Sequence, residues 1–254
     1  MKKTIMITGA TSGIGHSAAR KFALNGFDVI ITGRRADRLN ELENELSSLG
    51  ARILSMNFDV RNRSEVDKAI GEIPSGWKEI DILVNNAGLA SGLGHIDEGD
   101  IADWEIMIDT NLKGLLYVTR QIAPVMVARG RGHIINISSI AGKEVYENGN
   151  VYCATKHAVD SLSKAMRIDL LGHGIKVTNI APGMVRTEFS EVRFHGDTEK
   201  ADSVYRGITP LTGDDIAEAI YYCATLPGHV CINDLVITPT QQADANHNIK
   251  MILK

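Results

Sequence analysis

The sequence predicts an α/β fold, a single-domain doubly wound parallel sheet of about seven strands flanked by helices. Three observations carry this. Short runs of continuous Ile/Val character alternate with longer stretches of helical period, and strands of that kind are buried on both faces, as parallel pairing with helical crossovers requires. A glycine-rich turn, Thr8-Gly9-Ala10-Thr11-Ser12-Gly13-Ile14-Gly15, joins the first strand to the first helix. No Pro/Ser-rich linker, internal repeat or low-complexity tract divides the 254 residues, so residues 1–254 read as one domain.

The strands fall at 4–8, 28–32, 52–56, 80–84, 133–138, 176–181 and 235–238. Between them lie helical stretches at 14–25, 36–49, 64–73, 101–128 (long enough for two helices), 151–171 and 214–224. Right-handed crossovers order such units into a doubly wound sheet. Asn62 with Glu65, and Thr212 with Asp215, have N-cap and N3 spacing and fix two helix starts. Residues 187–211 are polar and aperiodic; a connection of that length in a compact domain is usually functional, so it reads as a substrate loop or lid. Residues 241–254 form a tail beyond the last strand, with a crossing to a neighbouring subunit left open.

Lys and Arg number 27 against 31 Asp and Glu, a net charge of −4 without any basic block. That argues against nucleic-acid partners and a polybasic membrane anchor. The most apolar window, 112–128, carries Lys113 and Arg120 and is no membrane span. The run Ile5-Met6-Ile7 ends at Thr8, too short for a signal-peptide core. Three cysteines without a CxxC pair give neither a disulfide framework nor a metal site. The expectation is a soluble cytoplasmic protein with a small-molecule partner.

The glycines of the first turn let backbone N–H groups approach a phosphate closely, and the helix N-terminus adds partial positive charge. Gly9, Thr11, Ser12, Gly13, Ile14 and Gly15 are therefore candidate dinucleotide-binding residues. The second strand ends Thr32-Gly33-Arg34-Arg35, without the carboxylate that NAD ribose hydroxyls favour. Two arginines there suit a 2′-phosphate, which makes NADP the expected cofactor. Tyr152 and Lys156 stand at i, i+4 on one helix face. The spacing alone recurs by chance in about half of such chains, but the chemistry is specific. Hydride transfer to a carbonyl needs a proton donor, and an ammonium about 4 Å from a phenol would lower its pKa by as much as about three units.

In chain order, Thr8–Gly15, Asn85-Asn86-Ala87-Gly88, Tyr152–Lys156 and Pro182-Gly183 resemble the motifs of the short-chain dehydrogenase/reductase family, over nearly the whole length and with its Rossmann fold. The resemblance implies that Ser139, 13 residues before Tyr152, binds the substrate oxygen, with Ser138 the less suited neighbour. It implies that Asn111 kinks its helix and holds a water in a proton relay, and that Lys156 serves the nicotinamide ribose. It also implies that Asp59 faces the adenine amino group beside Val60, that Asn86, Ala87 and Gly88 line the cofactor with Pro182, Gly183 and Val185, and that Thr187 holds the carboxamide. A homotetramer is the family's usual assembly, and the apolar girth of 112–128 and 151–171 is consistent with it.

Gly33-Arg34-Arg35, Asp59-Val60-Arg61-Asn62, Gly149-Asn150-Val151-Tyr152 and the run from Thr187 to Phe194 resemble the NADP-dependent 3-hydroxy acid dehydrogenases, which act on serine and allo-threonine. Such a substrate needs a cation for its carboxylate, and Arg193 is the candidate. The segment holding Lys143, Glu144, Glu147 and Asn148 departs from that subgroup in being more charged; carboxylates facing the site would disfavour an acid unless they point to solvent. The alternatives are a reductase of another carbonyl class, 3-ketoacyl or diketone, and a non-catalytic NADPH sensor. A sensor is expected to lack the Ser, Tyr or Lys, all of which are present.

Overall fold

A computed structural model describes residues 2–251. Seven strands, β1 (Thr4–Ile7), β2 (Asp28–Gly33), β3 (Ile53–Asn57), β4 (Ile80–Asn85), β5 (Gly132–Ile137), β6 (Ile175–Pro182) and β7 (Asp234–Ile237), form one parallel sheet in the order β3-β2-β1-β4-β5-β6-β7. The helices are α1 (Gly13–Leu24), α2 (Ala36–Ser48), α3 (Arg63–Gly71), α4 (Ile101–Ile108), α5 (Leu115–Arg129), α6 (Asn150–Asp169), α7 (Phe189–Arg193), α8 (Thr198–Ser203) and α9 (Gly213–Thr225).

Strand side chains alternate between two cores. Ile5, Ile7, Val29, Ile31 and Val84 pack with α1, α2 and α9, whereas Met6, Ile30, Leu83 and Ile134 pack with α3, α5 and α6. Both faces are thus covered, which is why the strands read as continuous apolar runs. The two expected caps form. The Asn62 side chain accepts from the Ser64 and Glu65 amides, and Thr212 with Asp215 makes a reciprocal capping box.

Two features bear on the site, the first as the reading of 101–128 as two helices expected. The stretch 101–128 is interrupted by a π-helical turn, Asp109–Gly114, which sets Asn111 inside the break. The segment 187–211 is no structureless loop: it contains α7 and α8, helices too short for a periodic signal. Of the tail, residues 241–251 pack against this chain, and 252–254 lie outside the described residues. Gln242 accepts from the Met184 amide, the Asn246 side chain donates to the Val145 carbonyl, and the Met251 amide donates to the Gly207 carbonyl.

No helix among the described residues is long and apolar enough to cross a membrane. Chain order reverses between β1 and β4, and the crevice outside the carboxyl ends of these strands is the place where such sheets take ligands.

Candidate active site

A cavity of about 490 Å³ fills that crevice, running from Arg34 and Arg35 at the end of β2 to Ser139 and Tyr152 beyond β5. Gly9 and Gly13 turn the chain with φ of 66° and 53°, which L side chains rarely adopt. A Cβ on Gly9 would press within 2.8 Å of the Ala87 backbone. The Thr8 hydroxyl accepts from the Asn86 and Ala87 amides, both at 3.0 Å, and Asn86 Nδ2 returns bonds to the Thr8 and Gly9 carbonyls. The β1 and β4 loops are therefore stitched into one floor. Of the cofactor residues read from the sequence, Thr11, Ser12, Ile14, Val60, Gly88, Pro182, Gly183, Val185 and Thr187 also line the cavity.

Gly15 and Asp59 do not line it. Gly15 packs close behind Gly9, where a side chain would strike the loop backbone. The Asp59 carboxylate is occupied by Arg61, whose Nε and Nη2 donate at 2.9 and 2.6 Å, so the structure does not bring it into the crevice. Burial opposes its ionisation, but the Arg61 hydrogen bonds outweigh this and hold the carboxyl below its usual range.

At the β2 end, Arg34 is half-exposed, with Asp59 Oδ2 at 3.7 Å. Arg35 donates to Ser12 Oγ at 3.0 Å and Thr11 Oγ1 at 3.1 Å, and its Nη1 meets Glu188 at 2.9 Å. Arg38 binds the other Glu188 oxygen. Glu188 was not a sequence candidate; nothing in its local pattern ties it to residues about 150 positions earlier.

At the other end, Tyr152 and Lys156 lie on one face of α6 and are buried. Ser139 follows β5, its Oγ accepting from the Ala141 amide at 3.1 Å and donating toward the Pro182 carbonyl at 3.4 Å. Ser138 instead donates to the Lys156 carbonyl and is buried, a structural role. Asn111 is 2 % exposed. Its Oδ1 accepts from the Leu89 amide, while Nδ2 donates to the Leu89 carbonyl and Thr155 Oγ1. It stands behind the cavity wall, holding the Leu89 backbone against α6. Gly88 lies between Asn111 and Lys156, where a Cβ would be 3.2 Å from one and 3.4 Å from the other.

The expected lowering of the Tyr152 phenol by Lys156 is not what the structure shows. Burial is the largest influence and pushes the phenol well above its ordinary value, while Arg193 and a hydrogen bond with Ser139 pull the other way. Lys156 Nζ donates 3.0 Å to the Ile137 carbonyl and lies 5.8 Å from the Tyr152 ring centre; burial pushes the ammonium down to about 8.

Arg193 of α7 reaches back over the Tyr152 phenol. Its guanidinium carbon is 4.9 Å from the Tyr152 ring centre and 5.3 Å from that of Phe189, and its Nη2 donates to the Tyr146 hydroxyl at 2.7 Å. Its Nε is buried without a partner. Tyr146 and Phe189 were missed by the sequence reading, although the aromatic residues inside otherwise charged or polar segments were a usable signal. The charged segment before α6 points away from the cavity: Glu147 is 83 % exposed, Glu144 accepts from the Ala245 amide, and Lys143 is paired with Asp160 and Asp234.

The crevice fits a dinucleotide. It joins a phosphate-approachable glycine turn to a Ser, Tyr and Lys cluster, with cations at both ends, and the Thr110 hydroxyl on its wall is buried without a partner. Residues 3–197 match the family model described as short chain dehydrogenase. The chain belongs to the short-chain dehydrogenase family. It is 50% identical over 246 residues, 96% of this chain and 98% of the relative, to a Salmonella typhi protein named NADP-dependent 3-hydroxy acid dehydrogenase. It is 43% identical to the serine 3-dehydrogenase of Agrobacterium fabrum, over 98% of each chain. Among solved structures, the closed form of a serine dehydrogenase complexed with NADP+ superposes with a TM-score of 0.92 at 47% identity, covering 98% of this chain and all of that one.

Proposed function

We propose that this protein is an NADP-dependent oxidoreductase that moves a hydride between nicotinamide and the β-hydroxyl or carbonyl of a small 3-hydroxy acid of the serine, allo-threonine or 3-hydroxypropionate type. The observation that carries the substrate class is Arg193. It lies over the Tyr152 ring with a buried, unpartnered Nε and, among the described residues, no carboxylate within ion-pair distance. A guanidinium so placed binds a carboxylate a short distance from the reacting carbon. The relatives named for 3-hydroxy acids and serine support the same reading.

NADP supplies or accepts the hydride. Arg34 and Arg35 would hold its 2′-phosphate and the glycine turn its pyrophosphate, with Thr187 serving the carboxamide and Lys156 the nicotinamide ribose. Ser139 holds the substrate oxygen beside Tyr152. The raised phenol is protonated at neutral pH and acts as the acid for carbonyl reduction; the Arg193 charge and the Ser139 hydrogen bond favour its anion when it acts as base. Asn111 holds the backbone behind Lys156 and supports a proton relay.

The test follows the nicotinamide absorbance with NADP+ and serine, allo-threonine, 3-hydroxypropionate and neutral alcohols. Acids should exceed neutral alcohols in kcat/KM by about 100-fold. Tyr152→Phe should remove turnover by about three orders of magnitude while NADPH fluorescence still reports binding. Equal turnover of neutral substrates would favour 3-ketoacyl or diketone reduction. Binding without turnover on any substrate would favour a sensor.

We further place the protein in the cytoplasm as a homotetramer. Its three cysteines are free, and Leu116 on α5, Ile168 at the end of α6 and Leu171 just beyond it are exposed apolar groups that an assembly would cover. Light scattering on the purified protein checks the stoichiometry.

A further inference from the structure

Residues 143–149 connect the Ser139 turn to α6, and their backbone sorts the side chains. Asn148 adopts φ of 64°, a left-handed conformation that Asn tolerates. On either side of that kink's approach, Glu147 stands in solvent whereas Tyr146 lines the cavity. Gly149 makes room for the Tyr146 ring, since a Cβ there would overlap it, with Cδ2 at 2.7 Å. The ring thus has a fixed seat.

Its hydroxyl is used in one direction only. Arg193 Nη2 donates to it at 2.7 Å, and Arg has no acceptor to offer in return. Among the described residues nothing accepts the Tyr146 proton, and nothing accepts from Arg193 Nε, which is buried. Both side chains line the cavity that holds Tyr152, so the linked pair, with an unused hydroxyl proton and a guanidinium charge, borders the substrate space. A hydroxyl donor held against a guanidinium matches a carboxylate, which takes charge from one and a hydrogen bond from the other.

We propose that Tyr146 is a second specificity-determining residue of this site, anchoring the Arg193 guanidinium and giving its own hydroxyl proton to the carboxylate that Arg193 binds. This rests on the reading of Arg193 as the carboxylate-binding group. Tyr146 takes no part in proton transfer to the reacting oxygen. Its effect is on which substrate is chosen, through a ligand held at both ends.

The experiment compares 3-hydroxypropionate with its methyl ester, a neutral molecule with the same reacting carbon, in wild type, Tyr146→Phe, Arg193→Ala and the double variant. Phe keeps the ring that Gly149 seats, and thermal unfolding confirms that each variant folds. Tyr146→Phe should lower the acid-to-ester ratio of kcat/KM about five- to tenfold, mainly through KM for the acid. Arg193→Ala should lower that ratio about 100-fold, and adding Tyr146→Phe to it should cost little more, because the two act on one carboxylate. An unchanged ratio in Tyr146→Phe, or equal losses on acid and ester, overturns the role of Tyr146 while a collapsed ratio in Arg193→Ala leaves the carboxylate reading standing. Equal losses on acid and ester in Arg193→Ala overturn that reading itself.

Discussion

The two ends of the crevice handle positive charge in opposite ways. At the β2 end, Arg35 and Arg38 share the Glu188 carboxylate, and Arg61 takes Asp59, with Arg34 nearby; these groups are partly exposed. At the α6 end, Lys156 and Arg193 have no carboxylate within ion-pair distance among the described residues. Lys156 has only the Ile137 carbonyl, and Arg193 a phenol and aromatic rings. Exposed pairs are cheap to break and to exchange for a phosphate. An uncompensated buried cation, here Lys156, costs stability, but with the half-buried Arg193 it leaves a field for charge that would arrive with the substrate or develop on its oxygen. On the proposed reading, one end holds a ligand by exchange and the other by standing electrostatic demand.

The largest effect expected from that contrast is at Lys156. Its fall from 10.5 to about 8 means the folded protein resists protonating it. A depressed folded pKa gives stability that is fully present above the unfolded value of 10.5 and lost as pH falls through about 8. At pH 7 the cost is about 3 kcal/mol, and losing the Ile137 hydrogen bond offsets about 1 of it. Lys156→Met should thus lose turnover by about three orders of magnitude yet gain about 2 kcal/mol of stability at pH 7, with that gain gone by pH 10.5. Denaturant titrations at pH 7 and 10.5 measure this; equal destabilisation at both would show that the cation is not uncompensated.

Next comes the β2 end. Arg34→Asp with Arg35→Ala should swing the NADPH/NADH preference by about 100-fold toward NADH, read from kcat/KM for each cofactor. An unchanged ratio would mean that these arginines serve only Glu188 and Asp59.

Strand and helix boundaries were legible to within two residues wherever the signal was local: Ile/Val runs covered on both faces, Asn62 and Thr212 as caps, glycines where a turn demands them. Tyr152 and Lys156 were legible as a pair from their i, i+4 spacing and Ser139 from the family resemblance, and the three line one cavity. What stayed hidden depends on tertiary closure. The Tyr152 phenol rises because burial outweighs the neighbouring charges, and a pairwise charge argument from sequence omits burial. Glu188 and Tyr146 owe their roles to α7 folding back over the sheet, and the tail reveals its position only through Gln242 and Asn246.

The smallest effect, and the one that sharpens the contrast most, is at Glu188. This carboxylate immediately precedes α7, the helix that carries Phe189 and Arg193, and ties its start to α2 through Arg35 and Arg38. Burial works against its ionisation, but the two arginines prevail and keep its pKa below 4.5. The contribution is therefore present above 4.5 and lost as pH falls through the lower folded value. Glu188→Gln removes a negative charge beside the 2′-phosphate cations and at the same time loosens the base of α7. The two ends should then respond with opposite signs. NADPH should bind about two- to fivefold tighter with NADH little changed, while KM for 3-hydroxypropionate rises by a similar factor. Raising the ionic strength to about 0.5 M should reproduce the KM change in wild type and leave Glu188→Gln nearly insensitive, because screening acts on an exposed pair that the variant lacks. If both affinities moved together, Glu188 would be a brace of the whole crevice, and the division between an exchanging end and a demanding end would fail.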